Sequence, residues 1–117
     1  MSDLGARFVA CRRWRWMPGM LVNSAGHVYR MTAESIASGC GAVDWQQKWM
    51  RPDTTDPATL GCILALVREA RGDPSLYATT SWTDIPRCHV WWVSGSTLSD
   101  EHDTEAAALL AALEASP

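Results

Sequence analysis

The chain has 117 residues, 47% of them hydrophobic, and a formal charge of −3; that is the size of one ordinary domain, 1–117, able to build a core without staples. No apolar run approaches the ~18 residues needed to cross a bilayer, which excludes a helical membrane span. Met1-Ser2-Asp3-Leu4 lacks the basic start and apolar core of a secretory signal, so an intracellular, cytoplasmic protein without membrane contact is expected.

Charge is unevenly distributed. Residues 1–51 carry seven basic and three acidic side chains and residues 52–117 carry three basic and ten acidic, so a basic face can meet an acidic partner while an acidic face repels nucleic acid. Four cysteines, Cys11, Cys40, Cys62 and Cys88, form no C-x-x-C pair, and buried reduced thiols are expected. Seven tryptophans either fill the core or anchor partners, and exposure decides between the two.

In chain order, Ser2 can cap a first helix with Leu4, Phe8 and Cys11 on one face. Trp14-Arg15-Trp16-Met17 alternates as a strand does, until Pro18-Gly19 interrupts it. Met20-Leu21-Val22 and His27 to Met31, separated by Asn23-Ser24-Ala25-Gly26, read as a β-hairpin. Residues 32–54 are the least legible: Thr32 can cap one helical turn ending at Gly39-Cys40-Gly41. The spacing of Trp45 and Trp49 suits a helix or a strand equally. Pro52 to Thr55 reads as a linker.

The clearest element is the helix from Pro57 to Arg71. Asp56 caps it, Pro57 occupies a first-turn position where its missing N–H costs nothing, and Gly72 with Asp73-Pro74 stops it. Leu60, Ile63, Leu64 and Val67 make its apolar side, widened by Leu66 and Ala70. Leu76 to Trp82 and Cys88 to Ser94 are predicted strands that pair antiparallel, joined by Asp84-Ile85-Pro86, which is too irregular for a two-residue turn. Thr104 caps a last helix that packs through Ala106, Leu109, Leu110 and Leu113. The predicted fold is α+β, an antiparallel sheet of about four to five strands packed by two or three helices.

Asp56 to Ala70 with Gly72-Asp73-Pro74-Ser75, Thr104 to Ala115, and Trp14 to Met20 resemble segments of a group of small uncharacterised phage and prophage proteins. The layout of helix, Trp-bearing hairpin and closing helix is more loosely similar to the phage ABA-sandwich domain. The resemblance implies a phage origin and carries no assigned activity. Arg71 and Ala107 stand where the group prefers Trp and Glu.

Catalytic and metal chemistry find little footing. Cys88 and His89 are adjacent in a strand and point to opposite faces, so they cannot readily share an ion, and no cofactor is expected. A trio of Cys88, His89 and Asp84 can be drawn, but no nucleophile elbow, P-loop or dinucleotide fingerprint accompanies it. The expected function is therefore non-enzymatic: binding, and inhibiting or modulating, a host protein complex, as an anti-defence factor such as an anti-CRISPR does. Asp100, Glu101, Asp103 and Glu105 would steer the partner, with Trp45, Trp49 and Trp91 as aromatic anchors. The alternative is a nucleotide-binding or nucleotide-sequestering protein in which Arg13 and Arg15 grip phosphate and Trp14 and Trp16 stack on bases. Alternation also allows those indoles to be core behind a solvent-facing pair of arginines. A homodimer through an exposed edge strand, Trp14 to Met17 or Cys88 to Ser94, is a further expectation.

Overall fold

The computed structural model describes residues 4–39, 49–84, 87–93 and 104–116. In chain order these form α1 (Leu4–Ala10), β1 (Leu21–Ser24), β2 (His27–Arg30), α2 (Ala33–Ala37), β3 (Met50–Pro52), α3 (Pro57–Arg71), β4 (Ala78–Asp84), β5 (Arg87–Val93) and α4 (Glu105–Glu114). The α+β class is as expected. The five strands do not form one sheet: β2-β1-β3 make a three-stranded antiparallel sheet and β4-β5 a separate antiparallel pair.

Local chemistry sets the helix ends. At α3 the Asp56 side chain accepts from Thr59 N, and Gly72 adopts the left-handed conformation at φ 65°, which glycine enters without a Cβ clash. Asp73 N–H then returns to the Arg68 carbonyl at 3.0 Å. Thr32 and Ser35 cap α2 reciprocally, and Thr104 accepts from Ala107 N at the start of α4. The acidic Glu105 lies in that first turn, where the helix dipole favours negative charge.

One hydrophobic cluster joins these elements. Phe8 of α1, Val22 of β1, Ile63 and Val67 of α3, and Leu109 of α4 are all fully buried, each worth roughly 1.5–3 kcal/mol of transfer free energy. The predicted faces of α3 and α4 are the ones that pack, with Leu60, Leu64 and Ala70 half-buried at the margin. Arg71 Nη2 donates to the Ala112 carbonyl at 3.0 Å, placing a cation on the negative end of α4 and tying it to α3.

Several expectations need correction. Trp14 to Met17 is not a strand; its indoles turn toward the core. Leu76 and Tyr77 precede β4, which starts at Ala78. Asp84 pairs directly with Arg87, leaving two residues between the paired positions, shorter than the irregular loop expected. Met50–Pro52, read in part as linker, is a strand paired to β1.

The register explains why a proline is tolerated there. Met31 N donates to Met20 O at 2.8 Å and Ser24 faces His27 across the two-residue turn, so Val22 and Tyr29 exchange hydrogen bonds and Val22 offers none to β3. Pro52, opposite Val22, therefore sits where β1 asks nothing of its missing N–H. Leu21 points the other way: its carbonyl accepts from Asp53 N at 2.9 Å. Its N–H donates to Thr59 Oγ1 at 2.8 Å. Thr59, fully buried, also donates to Asp56 Oδ2 at 2.8 Å, so one hydroxyl bonds the sheet and the cap of α3 together.

The same cap is clasped from outside. Arg30 donates through Nη1 and Nη2 to both oxygens of Asp56 at 3.0 and 3.2 Å, and through Nη1 to the Gly19 carbonyl at 2.6 Å. Arg30 first, then Thr59, lowers the Asp56 carboxyl from 3.8 to about 2. Because the folded value lies below the unfolded one, the unfolded chain binds the extra proton between the two, so this stabilisation is complete above about 3.8 and is lost as pH falls toward about 2. The melting temperature is expected to drop across that window, and Asp56→Asn to flatten the drop; an acid titration followed by circular dichroism reads both. Glu69 beside Arg15 and Asp73 beside Ser75 are shifted in the same direction.

Candidate partner-binding groove

The described residues with the most exposed large apolar side chains are Val28 (60%), Trp49 (58%), Tyr77 and Tyr29. Two of these four, Val28 and Tyr29, lie in β2, and Trp49 immediately precedes β3. Val28 and Trp49 share an open groove of about 730 Å³ with Leu4, Gly5, Ala25, Arg51 and Asp53. Such a volume accommodates one or more side chains of a partner.

Each wall has a local cause. Asn23 pairs with Val28 on one side and Arg51 on the other, so Arg51, Asn23 and Val28 form a cross-strand row on one face of the sheet. The hairpin turn closes one end: Ala25 has φ 51° and Gly26 φ 90°, the two positive values of a type I′ hairpin turn. Asn23 Oδ1 steadies it by accepting from Gly26 N at 3.3 Å. Asp53 organises the far side, accepting from Thr55 N and Oγ1 at 2.9 and 2.6 Å. Arg51 Nη1 donates to the Met50 carbonyl at 2.8 Å, which holds its guanidinium close to the strand. The lining thus offers an indole and aliphatic carbons beside one cation and one anion, the mixture of apolar anchor and polar rim found at protein interfaces.

Of the predicted partner-binding residues that are described, the groove takes in Trp49. Trp45, Asp100, Glu101 and Asp103 lie outside the described residues. Glu105 is half-buried in the first turn of α4. Trp91 is half-buried against the core. Val28, Arg51 and Asp53 were not singled out from the sequence; an apolar residue alternating with His27 and Tyr29 carries no signal of exposure until the strand's place in the sheet is known.

The Arg/Trp run is arranged differently from a base-stacking surface. Trp16 is 7% exposed, and Trp14 stands edge-on to it with ring centroids 5.2 Å apart and planes at 86°. Trp14 also leans on Phe8 at 5.8 Å. Arg13 and Arg15 are exposed, and Arg15 makes two 2.7 Å hydrogen bonds to Glu69. The alternation therefore separates a packing face from a solvent face, and the indoles do not stand beside the arginines as stacking platforms.

Cys11 and Cys62 are free and half-buried, and desolvation raises both thiols above their ordinary value, which lowers the fraction of reactive thiolate. Among the described residues no three His, Cys, Asp or Glu side chains converge as a metal site, and no helix is long and apolar enough to cross a membrane. No family model, curated protein or solved structure matches the chain.

Proposed function

We propose that this protein is a non-enzymatic binding module that docks a segment of a partner protein in the groove beside Trp49. In the phage setting implied by the sequence resemblance, the partner is a host protein complex, and the outcome is inhibition or modulation of it, as in an anti-defence factor. The observation that supports this reading is the exposure of Trp49 and Val28 on a formed groove, since an isolated exposed side chain is ordinary whereas an aromatic and an aliphatic on one concave surface favour an anchor. The fitting occupant is an apolar side chain that lies against the indole. The nucleotide reading loses its stacking surface with the inward turn of Trp14 and Trp16.

The test is affinity. With a host protein captured from nuclease-treated lysate and then purified, Trp49→Ala is expected to weaken binding roughly 30-fold, about 2 kcal/mol, as loss of a central aromatic anchor does. Calorimetric titration measures it. Unchanged affinity in a variant with a native circular dichroism spectrum would remove the groove from the interface.

A further inference from the structure

The hairpin turn at the end of the groove holds a residue that the turn itself does not favour. Ser24 faces His27 across Ala25 and Gly26, and the φ values of 51° and 90° are those that fit the twist of the paired strands. Gly26 enters that region without strain. Ala25 is the one non-glycine residue at positive φ among the described residues, and its Cβ crowds the backbone there. Asparagine, whose short side chain bonds locally in this conformation, is the residue such turns prefer before glycine. The methyl adds nothing to the core, since Ala25 is exposed and stands outside the hydrophobic cluster. What it does line, with Val28 and Trp49, is the groove.

A residue that strains its own turn without packing into the core is expected where a binding surface needs its side chain. Resting on the reading of that groove as the docking site, we infer that Ala25 is a partner-contact residue whose methyl meets the side chain seated against Trp49, and that the side chain taken is aliphatic. The methyl of Ala25 and the two of Val28 present aliphatic carbon beside an indole, and an aliphatic occupant gains dispersion contact with all three without leaving a polar atom desolvated. Asparagine at this position would suit the turn better, but it would put an amide into that surface for the occupant to strip of water. The turn gives up local fit and keeps the end of the groove apolar.

Substitution at this one position separates the demands of the turn from those of the groove. Ala25→Asn should raise the melting temperature by about 3–6 °C, the shift for relieving one strained residue in a domain of this size, and Ala25→Gly should at least match the parent chain. Binding should move the other way. With isoamyl alcohol, the equivalent of a leucine side chain, as the probe, nuclear Overhauser spectroscopy should show contacts from the probe to the Ala25 methyl and to the Trp49 indole. The midpoint of a chemical-shift titration should rise about 3-fold in Ala25→Gly, which removes one methyl, and about 10-fold in Ala25→Asn, where an amide loses its water. Contacts to Trp49 with none to Ala25, or an unchanged midpoint in both Ala25 variants, would overturn the inference and leave the groove reading standing. No contact to Trp49 would overturn both. A melting temperature lowered in Ala25→Asn would show that the turn suits alanine, and would overturn the inference as well.

Discussion

Phe8→Ala should destabilise the chain by about 3–5 kcal/mol, the range for deleting a buried phenylalanine. The upper part of that range is expected because Phe8 is fully buried and supports Trp14, which in turn stands against Trp16. Removing the ring leaves a cavity beneath one indole and frees the pair that follows, forfeiting an aromatic contact worth about 0.5–1.5 kcal/mol beyond its area. Small domains hold only about 5–15 kcal/mol in total, so the variant should unfold at far lower urea. Its near-ultraviolet circular dichroism, which reports the fixed Trp14–Trp16 geometry, should fade before the far-ultraviolet signal. A near-native midpoint would mean that the N-terminal helix is dispensable to the core.

Thr59→Val tests the hydroxyl that joins sheet to helix. Valine keeps the shape and fills the same buried site, but it cannot accept from Leu21 N or donate to Asp56. The strand donor is then left without its partner, at a cost of about 1–3 kcal/mol. Thr59→Ser keeps the hydroxyl and loses one methyl, worth about 0.8 kcal/mol, so serine should be the milder change although it is the smaller side chain. Urea midpoints with an unchanged denaturant slope give the comparison directly. Equal or reversed costs would show that Thr59 acts through packing alone.

These two residues also mark where sequence reading succeeds and where it stops. Phe8 sits on the predicted face of α1, and the caps of α3 at Asp56 and Gly72 follow from chemistry within a few residues of each end. Thr59 was invisible in that way, because its partner Leu21 lies 38 positions earlier and only the packed fold brings them together. The run from Trp14 to Met17 misled for a related reason: a period of two reports which sides are apolar and says nothing about whether a neighbouring strand exists to pair with. Pro52 erred in the opposite direction, since proline argues against a strand unless its register parity is known. The groove draws on residues from 4 to 54, and of these the aromatic Trp49 alone stood out in advance.

Pro52 has a final consequence for how many molecules can assemble through this sheet. A border without that donor resists the addition of another strand on the β3 side. A sheet blocked on one border cannot be extended from both sides, so it offers no continuous template for a filament.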